Sequence, residues 1–292
     1  MKMLLSTQTS RLQNKFGYKK AFEILKNAGF DAFDLSLFHP TDDNDGLYKE
    51  NFREYAKELR AYADSLGIVC NQSHAPFPSS TADRAQDKPI YDSIVHAMEI
   101  ASILGAKDIV VHPKQHLPYR ANEKVLKEIN MEFYKSLIPY CEKFNINVAV
   151  ENMWQSNPVG GAIVNSTCAR VEEFCEYIDD IGSERIVACL DTGHVSLCGE
   201  DMSVMIRGLG GKRLKALHVH DTDGRADLHT LPFTSKNDFA LIMKLLKEIN
   251  YEGDLTFEAD HFYSGFPLDI YPDVAAFMQI VGRQLIKMFN EA

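Results

Sequence analysis

No apolar run in this 292-residue chain approaches the roughly 20 residues needed to cross a bilayer. The N-terminal Met-Lys-Met-Leu-Leu-Ser-Thr-Gln turns polar too soon for the apolar region of a signal peptide. No C-x-x-C pair occurs among the six cysteines (Cys70, Cys141, Cys168, Cys175, Cys189 and Cys198), so in a chain this long they read as reduced thiols rather than a disulfide framework. Together these features predict a cytoplasmic protein with no membrane partner. Basic residues form no tract beyond isolated pairs such as Lys19-Lys20 and Lys212-Arg213. The net charge is −10, which disfavours a polyanionic partner, so nucleic acid is not expected. No Pro/Gly/Ser-rich linker divides the chain, and no G-x-G-x-x-G follows a candidate strand.

What is present is an alternation of short apolar runs with longer amphipathic stretches. Strands are predicted at Met3 to Ser6, Ala32 to Leu37, Ile68 to Ser73, Asp108 to Val111, Ile146 to Val150, Ile186 to Leu190, Leu214 to Val219 and Leu255 to Phe257. Helices are predicted at Tyr18 to Asn27, Tyr48 to Ser65, Ile90 to Leu104, Glu123 to Lys143, Thr167 to Ile178, Asp201 to Arg207, Asn237 to Ile249 and Asp273 to Met288. The strands are short and rich in Val, Ile and Leu, as in a parallel sheet buried on both faces. Eight strand-helix pairs with right-handed crossovers fit one closed (β/α)8 TIM barrel over residues 1–292, an α/β fold in which function belongs to the loops after the strands.

Those strand ends carry the chemistry. Leu217-His-Val-His-Asp221 is followed by Asp227-Leu-His229, and period-two alternation puts His218 and His220 on one face of their strand. His74, His112, Glu151, Asp191 with His194, and Glu258 end or follow the other strands. In a barrel they converge on one mouth, and imidazoles with carboxylates suit a divalent metal. Each also has a plain structural reading. His74 and His112 stand near prolines and can bond loop backbone, Asp191 can cap the next segment, and Glu258 can pair with Lys or Arg. Yet Glu151 and Glu258 follow buried-type runs, where an unpaired carboxylate is costly.

The motifs Val-Glu-Asn at 150–152, Leu-Asp-Thr-Gly-His at 190–194, His-Val-His at 218–220 and Phe-Glu at 257–258 resemble the xylose isomerase-like TIM-barrel superfamily. That group includes sugar isomerases, ketohexose 3-epimerases, inosose dehydratases and endonuclease IV. The resemblance to ketohexose 3-epimerases implies one divalent ion (Mn, Mg, Co or Zn) held by Glu151, Asp191, His220 and Glu258. In that reading His218 is a supporting or core polar residue. The two glutamates would be the acid/base pair, with His194 and Arg225 as substrate contacts. A further substrate-contacting Glu of those epimerases, six residues after the first ligand, is replaced here by Asn157. The resemblance to endonuclease IV implies extra metal ligands at His74, His112, His194, Asp227 and His229.

Epimerising or isomerising a sugar requires removing a proton alpha to a carbonyl, which is too weakly acidic in water. The expected activity is therefore a divalent-metal-dependent isomerase or epimerase of a sugar or sugar phosphate. The ion would stabilise the developing enediolate as a Lewis acid while Glu151 and Glu258 exchange the proton. His74 and His112 would bind hydroxyls or phosphate. Trp154, Phe77, Phe233 and Phe262 are candidates for an apolar wall over the sugar, or for ordinary packing. The alternatives are an inosose-dehydratase-like lyase, an endonuclease IV-like zinc phosphodiesterase and a metal-free binding barrel. Barrels of this kind often pair, so a homo-oligomer is compatible with the chain.

Overall fold

A computed structural model describes residues 2–38, 45–157 and 159–292. In chain order these run β1 (Leu5–Thr7), α1 (Ser10–Phe16), α2 (Tyr18–Ala28), β2 (Ala32–Ser36), α3 (Phe52–Leu66), β3 (Val69–His74), α4 (Asp87–Leu104), β4 (Asp108–Val111), α5 (Tyr119–Phe144) and β5 (Asn147–Glu151). They continue with β6 (Trp154–Ser156), β7 (Ile163–Asn165), α6 (Val171–Ile181), β8 (Ile186–Asp191), α7 (Thr192–Leu197), α8 (Met202–Arg213), β9 (Leu214–His218), α9 (Phe239–Glu248), β10 (Leu255–Phe257) and α10 (Tyr271–Glu291).

Strands β2-β3-β4-β5-β8-β9 form a parallel sheet in that order, and β1 pairs with β10. Single bridges at Gln8–Asp34 and Val219–Phe257 join the two pieces into a ring of eight. The seams are made by Thr9 N–H to Asp34 O (3.0 Å) and Val219 N–H to Thr256 O (2.9 Å), while Gln8 N–H to Phe257 O (3.0 Å) extends the β1–β10 pair. The chain thus adopts the TIM-barrel fold expected of it. Helices pack around the ring because each presents one apolar stripe. In α2 that stripe is Ala21, Phe22, Ile24 and Leu25, at the three-and-four spacing of a helix face. Helices α2 and α4 stop where Gly29 and Gly105 take φ of +97°, a left-handed conformation that any Cβ disfavours.

Alternation along the strands sorts the core into two layers. Leu5, Phe33, Leu35, Ile109, Val148, Val150, Ala188, Leu190, Leu217 and Phe257 belong to the layer under the helices. Val110, Ala149, Val187, Cys189 and Ala216 form a separate small cluster, as expected of side chains filling the barrel interior. Continuing the period of two from that cluster toward the C-terminal strand ends reaches His112, Glu151, Asp191, His218 and His220.

Three features, two short helices and a hairpin, lie outside the sequence-based expectation. Helix α1 follows the first strand, and β6 and β7 form an antiparallel hairpin after β5. Helix α7 starts directly on Asp191, whose carboxylate accepts from His194 N–H at 2.6 Å. All three are too short for a pattern of several turns or strand periods to show.

Candidate active site

The strand-end residues meet at one end of the barrel, around a cavity of about 380 Å³. Its lining includes His74, His112, Glu151, Trp154, His194, Asp227, His229 and Glu258. Larger hollows flank the β6–β7 hairpin (about 520 Å³) and lie among residues at the N-terminal ends of the strands (about 580 Å³), but no histidine among the described residues lines either.

Glu151, fully buried at the end of β5, is the hub. Its Oε1 is 3.0 Å from His218 Nδ1 and 3.6 Å from His194 Nδ1; its Oε2 is 3.0 Å from His112 Nε2 and 3.9 Å from His74 Nε2. From the opposite seam, Glu258 Oε2 is also 3.0 Å from His218 Nδ1, while Gln8 Nε2 donates to Glu258 Oε1. Asp191 meets His220 Nε2 at 3.0 Å through both oxygens. Asp227 Oδ2 lies 3.0 Å from His229 Nε2, 3.5 Å from His194 Nε2 and 3.0 Å from the donating Trp154 Nε1.

Among the described residues three groups of donor atoms result, the atoms of each within 4.8 Å of one another: Glu151, Asp191, His218 and Glu258; His74, Glu151 and His218; and His194, His220, Asp227 and His229. Of the four residues matched by resemblance, Glu151, Asp191 and Glu258 fall in the first group and His220 in the third. His218 stands with the two glutamates, whereas His220 turns to the outer side of Asp191 and joins His194, Asp227 and His229. Both imidazoles share a strand face, but His218 is deeper, level with the carboxylates that cross the barrel.

Arg225 stands apart from this mouth. It is exposed in the turn after β9 and is absent from the cavity lining. Asn157 accepts from Val159 N–H within the hairpin and lines the neighbouring hollow instead of the mouth. Phe77 and Trp154 line the cavity. Phe233 packs on Phe239, and Phe262 on Phe266 and Phe277, and neither lines the cavity.

Sequence reasoning missed several supporting residues. Asn152 braces the strand end next door, donating to Asp191 O (3.1 Å) and accepting from Asp191 N–H (2.8 Å). Asp221 accepts from the backbone N–H groups of Thr222, Ser235, Lys236 and Asn237 at 2.7 to 3.0 Å, which folds the loop carrying Asp227 and His229. Gln8 and buried Asp34 come from the two strands without a histidine or glutamate signal. The inward alternation of β1 and β2 was the one clue to them.

The electrostatics follow from this crowding. Burial opposes charge on Asp191, yet His194 and His220 outweigh it and hold the carboxyl at about 2. Burial likewise opposes charge on Glu151, but His218 and His112 pull it well below the usual carboxylate range. The imidazole of His194 is raised to about 10 against its burial by Asp191, Asp227 and Glu151. His74 moves the other way: burial, then His112 and His218, push it well down.

The donor chemistry fits a divalent cation. Imidazole nitrogen with carboxylate oxygen suits zinc, manganese, iron or cobalt. Glu151 Oε2 and Glu258 Oε2 are buried and take no hydrogen bond of good geometry, although an imidazole nitrogen stands 3.0 Å from each. Asp227 Oδ1 is also buried and unpartnered. Such oxygens are costly to bury unless a cation or donor meets them.

The fold and the mouth together place the chain among (β/α)8 barrels whose strand ends gather buried imidazoles and carboxylates on one side. Residues 22–280 match the family model described as xylose isomerase-like TIM barrel, and the chain belongs to that family. It is similar to the D-psicose 3-epimerase of Enterocloster bolteae, with 24% identity over 82% of this chain and 76% of the relative. It is also similar to the probable endonuclease 4 of Shouchella clausii, with 27% identity over 58% of this chain and 60% of the relative. Among solved structures, a D-tagatose 3-epimerase-like protein superposes with a TM-score of 0.74 at 20% identity, covering 99% of each chain. None of the helices is long and apolar enough to cross a membrane among the described residues.

Proposed function

We propose that this chain is a divalent-metal-dependent isomerase or epimerase of a sugar, exchanging a proton at the carbon alpha to a carbonyl. The observation that carries this reading is the meeting of Glu151 and Glu258 across the mouth. The two come from β5 and from the end of β10, and both approach His218 Nδ1 at 3.0 Å. Glu151, Asp191, His218 and Glu258 would hold the ion. A bound divalent ion supplies Lewis acidity toward a carbonyl oxygen and favours the charge that develops when the adjacent C–H is lost.

The chain's own groups do the rest. One glutamate removes the proton and the other returns it from the opposite side. His74, His112 and His229 offer hydrogen bonds to hydroxyls, while Phe77 and Trp154 present apolar faces at the rim. No Lys or Arg lines the cavity among the described residues, which favours an unphosphorylated sugar.

The test is incorporation of solvent deuterium into a panel of ketoses and aldoses by the manganese-loaded protein. Deuterium at the carbon alpha to the carbonyl, without water loss, is expected. Glu151→Gln and Glu258→Gln should each lower the exchange rate by about 10²- to 10⁴-fold. Water loss would establish the inosose-dehydratase-like lyase instead. One observation favours a phosphodiesterase as the second reading: the separate group His194, His220, Asp227 and His229, together with the similarity to endonuclease 4. Two or three zinc ions per chain and cleavage of abasic DNA would establish it.

A further inference from the structure

Behind the cation cradle, on the side away from the mouth, a buried imidazole nitrogen without a hydrogen-bond partner of good geometry faces a buried carboxylate. His218 Nε2 has none, and it lies 3.6 Å from Asp34 Oδ2. Asp34 Oδ1 has none either. Asp34 lies on β2, with no exposed surface, and Gln72 Nε2 donates to its Oδ2 at 2.8 Å. No Lys or Arg pairs with it among the described residues. A solitary carboxylate so placed is costly to bury, and the imidazole it faces touches both proposed acid/base groups.

We infer that Asp34 is a positioning residue, which holds His218 in the tautomer and orientation that the cation cradle requires. The inference rests on the reading that Glu151, Asp191, His218 and Glu258 hold the ion. Nδ1 of His218 is the nitrogen turned toward Glu151 and Glu258, so it must present a lone pair to a cation. A neutral imidazole then carries its single hydrogen on Nε2. That hydrogen points toward β2, where the acceptor facing it is Asp34 Oδ2. The carboxylate selects this tautomer, and its negative charge makes Nδ1 the stronger donor, as outer carboxylates do for metal-binding histidines. The ring has little freedom to choose otherwise, because the His74 ring stacks parallel to it, with centroids 5.5 Å apart and planes 7° apart. Gln72, on β3, holds Asp34 in turn, and its Nε2 also reaches Leu217 O at 3.4 Å, next to His218. Support for the cradle thus runs from β3 through β2 to β9, on residues that never touch the cavity.

The experiment is calorimetric titration of Mn²⁺ into the wild type, Asp34→Asn, His218→Asn and the double variant. It is paired with long-range ¹H–¹⁵N spectra of zinc-loaded, ¹⁵N-histidine-labelled protein. Asp34→Asn should weaken Mn²⁺ binding about 10- to 100-fold and shift His218 away from the Nε2–H tautomer. In the His218→Asn background the same change should add less than about threefold, because the partner it acts through is gone. A merely structural role would lower thermal stability without that coupling. Mn²⁺ affinity in Asp34→Asn within twofold of wild type, with the tautomer retained, would overturn the inference while leaving the cradle intact. A wild type that binds no ion would instead remove the proposed function, and this inference with it. If Asp34→Asn does not fold, Gln72→Met keeps the charge but frees its orientation. It should weaken Mn²⁺ binding in the same direction and lose that effect in the His218→Asn background. No loss there overturns the inference equally.

Discussion

Gly193 occupies the first turn of α7, and a methyl group there has nowhere to go. A Cβ built on it would sit 1.9 Å from His220 Cε1 and 2.4 Å from Nε2, far inside the 3.0 Å that real Cβ contacts respect. His220 cannot give way cheaply. It is fully buried, its ring stacks on His229 at 4.3 Å, and Thr192 Oγ1 ties down its backbone through bonds of 3.2 and 2.9 Å. To clear the methyl the ring must move about 1 Å, which strains the packing by about 1–3 kcal/mol. It also weakens a charge-assisted bond to Asp191 that contributes about 1.5–3 kcal/mol. Against this, Ala gains up to about 1 kcal/mol over Gly in a helix. The balance for Gly193→Ala is a loss of about 2–4 kcal/mol, or roughly 4–8 °C in Tm for a chain of this size. Differential scanning calorimetry of the metal-free protein measures it directly. The sign is decisive: if His220 does not lie over Gly193, helix propensity alone acts and the variant melts at or above the wild-type temperature. That result would refute this geometry of the mouth.

Other expectations follow from the same contacts. Asp221→Ala removes a carboxylate that receives four backbone N–H groups, so a loss of about 3 kcal/mol or more is expected. Hydrogen exchange should then show fast amides at Ser235 to Asn237, and a normal exchange pattern there would contradict the role. In the metal-free protein Asp191 is depressed to about 2, so its contribution is present above about 4 and lost as pH falls toward 2. His194 is raised to about 10, so its contribution is full below about 6.5 and lost as pH rises toward 10. Thermal melts in chelator should therefore fall between pH 7 and 10 for the wild type and less steeply for His194→Asn; equal slopes would exclude this ion pair. Metal binding must displace those protons, so calorimetry in buffers of different ionisation enthalpy should show proton release, and its absence would contradict the raised imidazoles.

Much of the architecture is legible in the chain itself. The strand at Asp108–Val111 and that at Leu255–Phe257 were read to the residue, and the other barrel strands to within one or two. Each is a short apolar run ended by a polar residue, and helices alternate with them at a regular interval. That pattern also determined that Glu151, Asp191 and Glu258 gather at one mouth, since parallel strands deliver their C-terminal ends to the same side.

What the sequence could not decide is depth and partnership. His218 and His220 share a face by the period of two, and the choice between them depends on a rise of roughly 7 Å along the strand. Which of the two is level with Glu151 and Glu258 is set by the stagger of neighbouring strands, including the register shift where β8 meets β9. Arg225 looked close to the site in the chain, but a turn carries it into solvent. Asp34 and Gln8 looked like nothing in particular, because their significance lies in residues more than 180 positions away. Short-range alternation is written in the chain itself, whereas contacts across the barrel exist only once the ring closes and its shear is fixed.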